Sequence, residues 1–303
     1  MATRLAVPAG IDGARLDAAL HALCLGLSRS RARFLCARGC VAIGGVRAGP
    51  SDRVRKGDRI DAWTEDFAMT EILGLPVARS CGNAIAIDKP EGLACHGGPL
   101  VEDSVAARLA RIEGAGLAHR LDRGTSGLLL AGLDRQTLAA LAGAMERGMI
   151  RREYLAVANG PVGRDEFEVD LPLAVTDQPR GDLPKTVADE RTGLPCRSRF
   201  WVIDRRGEHV LLRCAIETGR THQIRAHLLA AGHRLLGDPR YGDPAANERA
   251  RATYGIRRPM LHAIRLEFPD PATAAPVAVE SFAPPDFARL FRSLRGTAEA
   301  TGS

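Results

Sequence analysis

Residues 119–131, with the sequence HRLDRGTSGLLLA, join a carboxylate, flanking cations and turn-forming residues to an apolar run. The apolar residues 128–131 predict a short buried strand, because turn residues bound a continuous apolar stretch. Asp122 therefore lies just outside a sheet. Arg120 and Arg123 keep such a carboxylate ionised and can hold a polyanion across it. The structural alternative is that Asp122 accepts hydrogen bonds from backbone N–H groups of its own turn.

The same segment resembles the catalytic motif of the RluA family of pseudouridine synthases, which isomerise uridine in RNA. The resemblance places Asp122 on the family's nucleophilic aspartate and Arg120 on the arginine that fills the space left by a flipped base. Three further segments match the family in the same order: KPEG at 89–92, REYLA at 152–156 and TGRTHQIRAHL at 218–228. The resemblance covers most of the chain and implies an isomerase that needs no metal or organic cofactor.

Further site residues follow from these matches. Tyr154 falls on the tyrosine of the family's Lys-x-Tyr motif, which lies against the target base and is implicated in proton transfer. Without that resemblance, a tyrosine that opens a strand is most often a core residue. Arg152 replaces the motif's lysine, which keeps the charge but changes the geometry. By the same resemblance Arg225 pairs with the nucleophilic Asp122, which leaves Arg220 for a phosphate or for the sheet.

The substrate-binding set predicted from the sequence contains two more residues. Ile224 lies inside the 218–228 match, next to Arg225. His96 stands beside two glycines near the expected RNA cleft, although a surface histidine without a role is the alternative. With Arg120 and Arg220, these residues are expected to contact the target nucleotide.

Composition restricts the remaining possibilities. The 303 residues are 45% apolar, which is enough for a substantial core, and no long apolar run predicts a membrane span or a secretory signal. We expect a cytoplasmic protein. The seven cysteines are scattered without a CxxC pair, and the eight histidines show no metal-ligand spacing, so reduced thiols and no metal site are expected.

The net charge of +6 is concentrated at the N-terminus. Residues 1–61 contain eleven Arg or Lys against five Asp and no Glu. Segments 15–17, 28–30, 39–41 and 55–58 resemble an S4 RNA-binding module, which implies phosphate contacts without sequence readout. The predicted RNA-binding residues are Arg29, Arg31, Arg33, Arg55 and Lys56. The alternative is a small domain whose charges only keep it dissolved.

The expected fold class is α+β. Residues 1–63 are predicted to form an S4 domain of the α-L type, and residues 64–82 a linker with a first strand. Residues 83–295 are predicted to form a mixed, mainly antiparallel pseudouridine synthase sheet flanked by helices, with the cleft across it, and residues 296–303 a frayed tail. The patterns also predict a helix over 12–27, a helix capped by Asp134 and another capped by Thr221.

The sequence is compatible with several functions. Large-subunit (23S) ribosomal RNA is the expected substrate, because the chain looks most like the RluC-type branch, and transfer RNA is the alternative. A non-catalytic RNA-binding or ribosome assembly protein on the same scaffold, or a hydrolase on another fold, would also use some of these features. The enzyme is expected to be a monomer. Whether Asp122 attacks the sugar or the uracil ring does not follow from the sequence.

Overall fold

A computed structural model describes residues 3–24, 29–37, 40–62, 71–98, 101, 103–176, 185–287 and 290–291 of the protein. This part of the chain divides into two compact units. One contains the N-terminal residues through Ala62 together with the segment that begins at Phe282, and the other contains Glu71–Ser281. Each unit has its own hydrophobic core.

The first unit is a small sheet with two helices. Its elements are β1 (Thr3–Ala6), α1 (Leu16–Leu23), α2 (Arg29–Ala37), β2 (Val41–Ile43), β3 (Val46–Arg47) and β4 (Arg59–Ala62). The strand order is β1-β4-β2-β3, and all described pairings are antiparallel. Leu16 and Leu20 of α1 pack with Leu35 of α2 in the core. The helix predicted over 12–27 begins at Leu16 and ends at Leu23; residues 25–28 lie outside the described part.

The C-terminal segment contributes to this first unit. The backbone N–H of Arg47 donates to the carbonyl of Ala283 at 2.9 Å, and Val46 pairs with Ala283 in a parallel bridge. The Arg47 guanidinium also lies over the Phe282 ring, 6.0 Å from its centroid. Contacts between residues distant in sequence therefore join the segment from Phe282 to the N-terminal unit. The expected tail at 296–303 lies outside the described residues.

The second unit is built on one large sheet. Its strands and helices are, in chain order, β5 (Glu71–Ile72), β6 (Leu75–Cys81), β7 (Ala84–Lys89), α3 (Val105–Leu109), β8 (Gly116–Leu117), β9 (Ser126–Gly132), α4 (Arg135–Glu146), β10 (Arg151–Asn159), β11 (Glu166–Asp170), β12 (Leu173–Thr176), β13 (Lys185–Ala188), β14 (Arg197–Arg206), β15 (His209–Ile216), α5 (Gln223–Ala230), β16 (Arg234–Leu235), α6 (Pro244–Tyr254), β17 (Leu261–Pro269) and β18 (Pro276–Glu280).

Nine of these strands form the main path of the sheet, in the order β11-β14-β15-β10-β17-β9-β7-β6-β5. Strands β8, β16 and β18 pair at its sides, and β12 and β13 form a separate hairpin. Among the described strand pairings of this sheet, only that of β9 with β17 is parallel. The mixed, mainly antiparallel α+β fold expected from the sequence is therefore confirmed.

Strand β9 brings the 119–131 segment into the middle of this sheet. Every residue from Ser126 to Gly132 is buried, as the apolar run predicts. Gly127 has φ +104°, and a Cβ there would lie 2.2 Å from the carbonyl oxygen of Ala263 on β17. Only glycine fits this close approach between two strands. The chain then enters α4, whose N-cap Asp134 accepts a hydrogen bond from Thr137 N–H, as expected.

The start of α5 differs from the prediction. The N-cap residue is His222, with φ +55° and no side-chain capping bond, and Thr221 does not cap the helix. The side chain of Gln223 instead binds the turn before the helix: its Oε1 accepts from the N–H of Arg220 and from the Thr218 hydroxyl. Arg225 on α5 contacts Asp122 of the 119–131 segment.

No helix in the described part of the chain is long and apolar enough to cross a membrane.

Candidate active site

A pocket in the second unit lies where β9, β10 and the start of α5 meet. Its walls come from four separate stretches of sequence, which the sheet brings together. They are formed by Arg120, Leu121, Asp122, Thr125, Arg152, Tyr154, Ile216, Gly219, Arg220, His222, Gln223, Ile224, Arg225 and Leu261. The three residues predicted to be catalytic, Asp122, Tyr154 and Arg225, all line this pocket.

Asp122 is held from one side by Arg225. Arg225 Nη1 donates to Asp122 Oδ2 at 2.9 Å, and the Asp122 side chain keeps 18% of its surface exposed. No described residue donates a hydrogen bond to its other oxygen, Oδ1. Nor does the carboxylate accept from its own turn, since the N–H of Thr125 donates to the Asp122 backbone carbonyl. The alternative in which Asp122 accepts hydrogen bonds from its own turn is therefore not observed, and the carboxylate lines the pocket.

The other edge of Arg225 is fixed by a second carboxylate. Its Nε and Nη2 donate to Asp238 at 2.6 and 2.8 Å, and the Asp238 side chain is completely buried. Burial alone would lower the pKa of Arg225, but Asp238 and then Asp122 outweigh it and raise that pKa. Backbone N–H groups of Arg240 and Tyr241 also donate to Asp238. The guanidinium that contacts Asp122 is therefore charged and fixed in orientation.

Backbone contacts hold the Asp122 loop. Lys89, at the end of β7, is completely buried, and its Nζ donates to the carbonyls of Pro90 and Leu93 at 2.9 and 2.8 Å, with Arg123 at 3.5 Å. Burial lowers the pKa of Lys89 to about 8. Arg123 and Gly92 exchange two further hydrogen bonds. The KPEG segment thus stabilises the backbone at Arg123, the residue that follows Asp122.

His119 anchors the beginning of the segment. Its Nε2 accepts a hydrogen bond from the N–H of Leu130 on β9 at 3.1 Å. Burial, with a smaller effect of Arg152, lowers the pKa of His119 to about 3. An imidazole that accepts at Nε2 and stays neutral carries its proton on Nδ1. His119 therefore has a structural role in the protein, as a hydrogen-bond acceptor.

The floor of the pocket is apolar. Tyr154, on β10, is only 4% exposed, and Ile216, Ile224 and Leu261 around it are also buried. Burial raises the pKa of Tyr154, while the charge of Arg152 opposes that rise. The phenol is therefore neutral at physiological pH and can donate a proton or a hydrogen bond. A flat ring can pack against this floor.

His222 also lies beside Asp122, and its Nε2 is 3.9 Å from Asp122 Oδ2. The Tyr241 hydroxyl accepts from the N–H of Thr186 at 2.9 Å and lies 3.0 Å from His222 Nδ1. Burial lowers the pKa of His222, against the opposing effect of Asp122. Tyr241 thus holds the imidazole next to the carboxylate.

The remaining predicted substrate residues lie at different depths. Ile224 is buried in the pocket wall, whereas Arg120 and Arg220 are exposed where they line it. His96 is also exposed, but it does not line the pocket. Its neighbour Cys95 contacts the motif instead, because its Sγ accepts from the N–H of Leu121 at 3.1 Å.

The predicted RNA-binding residues belong to the first unit. Arg29, Arg33, Arg55 and Lys56 are all exposed. Their backbone is tied into the fold: the N–H of Arg55 donates to Asp58, and the N–H of Lys56 donates to Asp12. The Arg31 side chain lies outside the described residues.

Sequence reasoning missed three groups around Asp122. Asp238 and Tyr241 lie outside the segments from which the site residues are predicted, and His222 lies inside the 218–228 match without a predicted role. The available signal for His222 is its position in that match, three residues before Arg225. Within the described ranges, no group of three or more His, Cys, Asp or Glu side chains is placed to bind a metal ion.

Comparisons with known proteins identify the family of this chain. The model of the RNA pseudouridylate synthase family matches residues 83–230, and that of the S4 domain matches residues 14–60. Ribosomal large subunit pseudouridine synthase D of Nitrosomonas europaea is 33% identical over 308 residues, covering 96% of this chain and 87% of the relative. Ribosomal large subunit pseudouridine synthase C of Salmonella typhi is 29% identical, covering 97% of each.

A solved structure supports the fold. The human protein named RNA pseudouridylate synthase domain containing 4 superposes with a TM-score of 0.58 at 23% identity, covering 72% of this chain and 92% of that chain. The two family models, the nearly full-length relatives and the shared fold show that this chain belongs to the RNA pseudouridylate synthases, as an S4-containing isomerase that converts uridine in RNA to pseudouridine.

Proposed function

We propose that this chain modifies specific uridines of large-subunit (23S) ribosomal RNA, with Asp122 as its nucleophile. The observation that carries the catalytic assignment is the Asp122 carboxylate itself. Arg225 fixes its Oδ2 at 2.9 Å, and within the described residues its Oδ1 has no donor and faces the pocket. A carboxylate that is oriented, charged and partly free is suited to nucleophilic catalysis.

The reaction needs no oxidant or reductant. The C1′–N1 bond of the target uridine breaks, the uracil rotates, and a C1′–C5 bond forms; C5 loses a proton and N1 gains one. Asp122 attacks the flipped nucleotide, and Arg225 orients the attacking carboxylate. Tyr154 lies under the base and takes part in proton movement, supported by its burial in the pocket floor. Ile224 and Leu261 supply apolar contacts to the ring.

The target must leave its stack before it enters this pocket, at a cost of a few kcal/mol. Arg120, exposed at the pocket wall, fills the space that the base leaves, and exposed Arg220 contacts a phosphate. His96 contacts the RNA outside the pocket. On the S4 unit, Arg29, Arg31, Arg33, Arg55 and Lys56 bind phosphates, which gives affinity that falls with salt but carries no sequence information.

Ribosomal RNA is favoured over transfer RNA by the relatives. Both named relatives are ribosomal large subunit synthases, and each matches at least 96% of this chain. We place the enzyme in the cytoplasm as a monomer whose partner is the 23S RNA or its precursor, without contact to a membrane.

The experiment is a map of pseudouridine in ribosomal and transfer RNA from a deletion strain. The strain is complemented with wild type, with Asp122→Ala, or with Asp170→Ala as a control for the loss of an exposed carboxylate that pairs with Arg197. Sites in 23S RNA should disappear on deletion and return with wild type and Asp170→Ala alone. Loss of sites in transfer RNA instead would overturn the substrate. Maps that never change would favour a non-catalytic RNA-binding protein.

A further inference from the structure

Arg152 is a buried cation that lacks a partner among the described residues. The residue is 6% exposed, and its Nε is buried without a hydrogen bond. Within the same residues, no carboxylate lies within 4.0 Å of its guanidinium, and the guanidinium has no hydrogen-bond acceptor. A buried guanidinium without an acceptor is costly, because its hydration is lost and nothing replaces it. Such a group persists where the functional complex supplies the acceptor.

The position of Arg152 defines where that acceptor must be. Arg152 and Tyr154 are two residues apart on β10, so their side chains lie on the same face of the sheet, and both line the Asp122 pocket. Arg152 is close enough to Tyr154 to influence its pKa. The missing acceptor therefore lies in the pocket floor, beside the tyrosine.

Gly219 leaves space for the guanidinium of Arg152. A Cβ at residue 219 would lie 2.7 Å from Arg152 Nη1, closer than real Cβ contacts. The Gly219 backbone does not have a positive φ, so glycine is needed here for the space it leaves and not for its backbone conformation. The residue that begins the 219–225 wall thus leaves room for the arginine to extend across it.

We propose that Arg152 donates hydrogen bonds to a carbonyl oxygen of the flipped uracil and stabilises the negative charge that this oxygen acquires during the reaction. When the C1′–N1 bond breaks, its electron pair goes to the uracil and is shared by N1, O2 and O4. If Asp122 instead first attacks the ring at C6, the charge again reaches O4. The pair is used later to form the C1′–C5 bond, so Arg152 neither gains nor loses a proton.

A phosphate is the less suitable acceptor. Phosphates of a bound RNA stay near the surface, where Arg120 and Arg220 are exposed. Arg152 is buried beside Tyr154 in the apolar floor, where the base is proposed to bind. Donors aimed at a developing oxyanion contribute most in such a water-poor site.

The test uses the full-length protein and a short RNA transcript that wild type modifies. This inference rests on the proposed function, so wild type and Asp122→Ala are compared first; equal rates for these two proteins would contradict the proposed function, whereas the Arg152 variants test the inference itself. Arg152→Met is then measured beside Arg151→Met, which removes the exposed neighbouring arginine on the same strand.

Arg152→Met should lower kcat about 100-fold, the usual effect of losing one oxyanion donor. Its unfolding midpoint should stay equal or rise, because an unpaired buried cation is replaced by an apolar chain. Arg152→Lys keeps a cationic donor, so its kcat should be about tenfold higher than that of Arg152→Met. The kcat of Arg151→Met should equal that of wild type. A wild-type kcat for Arg152→Met, or a lowered midpoint with activity lost in proportion, would overturn the proposal.

Substituted substrates identify the acceptor. Transcripts that carry 4-thiouridine or 2-thiouridine at the target weaken the acceptor at C4 or C2. One of them should slow wild type about tenfold and leave Arg152→Met unaffected. Equal slowing of both proteins by both analogues, or a defect of Arg152→Met confined to RNA affinity, would assign Arg152 to a phosphate or to the fold and overturn the proposal.

Discussion

The guanidinium of Arg225 joins an accessible carboxylate to a buried one. It donates to Asp122 at 2.9 Å through Nη1, and to Asp238 at 2.6 and 2.8 Å through Nε and Nη2. The Asp122 side chain is 18% exposed, whereas that of Asp238 is fully buried. The two acids therefore have different tasks: Asp238 fixes the arginine, and the arginine orients Asp122 for the substrate.

This division predicts unequal effects of two similar substitutions on the free energy of unfolding. Asp238→Ala leaves Arg225 buried with one partner lost, and should lower the free energy of unfolding by about 3–5 kcal/mol. Asp122→Ala leaves Arg225 bound to Asp238 and should change that free energy by less than about 1 kcal/mol. Denaturant unfolding of both variants measures the difference. Equal destabilisation would show that Asp122 also has a structural role in the pair.

Gly219→Ala tests the space in front of Arg152. The new Cβ would lie 2.7 Å from Arg152 Nη1, so the guanidinium must move. We expect kcat to fall at least tenfold while the unfolding midpoint changes little, since the backbone at residue 219 suits alanine. Gly163→Ala, where no atom lies within 4 Å of the added Cβ, is the matched control. Full activity of Gly219→Ala would mean that the guanidinium position is unimportant for the reaction.

His222→Asn tests the imidazole that faces Asp122. Asparagine tolerates the left-handed backbone at residue 222, where φ is +55°, so the fold should be retained. The loss of the imidazole nitrogen 3.9 Å from Asp122 should lower kcat about tenfold with KM unchanged. His233→Asn, which changes a histidine that contacts Phe167, controls for loss of a ring elsewhere in the unit. An unaltered kcat would show that His222 does not contribute to catalysis.

The pH dependence of stability should report on His119. In the unfolded chain this histidine binds a proton near pH 6.5, but in the folded protein burial lowers its pKa to about 3. The unfolded state therefore binds more protons across that window, and acidification destabilises the fold. At pH 5 the cost is about 2 kcal/mol. His119→Gln keeps an acceptor for Leu130 N–H but does not titrate.

The measurement compares the free energy of unfolding at pH 7 and pH 5 for wild type and His119→Gln. Wild type should lose about 2 kcal/mol more than the variant over this interval. Parallel losses in the two proteins would indicate that His119 is accessible to protons in the folded state.

The sequence predicted the local elements of the site better than its contacts. The apolar run at 128–131 identified β9, and Asp134 identified the start of α4, because strand and cap patterns act over a few residues. The contact between Asp122 and Arg225 spans 103 positions, and it was expected only through the family resemblance. Periodicity carries no information over such distances.

The features that were missed depend on tertiary structure. Asp238 could not be distinguished from a turn aspartate until Arg225 was placed against it. Thr221 is a residue type that commonly caps helices, but the N-cap of α5 is His222, whose left-handed backbone no local pattern predicted. The segment from Phe282 pairs with β3, more than 200 residues earlier in the chain, and no local pattern marks that change of unit.

The most direct test of the central claim is single-turnover modification by purified protein. Wild type, Asp122→Asn and Asp170→Asn are each mixed in excess with a 23S RNA transcript, and pseudouridine is mapped by carbodiimide modification and reverse transcription. Asp122→Asn keeps the shape of the side chain but removes the nucleophile, so it should bind the RNA and form no product, while Asp170→Asn matches wild type. Pseudouridine formation by Asp122→Asn at the wild-type rate would contradict the role of Asp122 as the nucleophile.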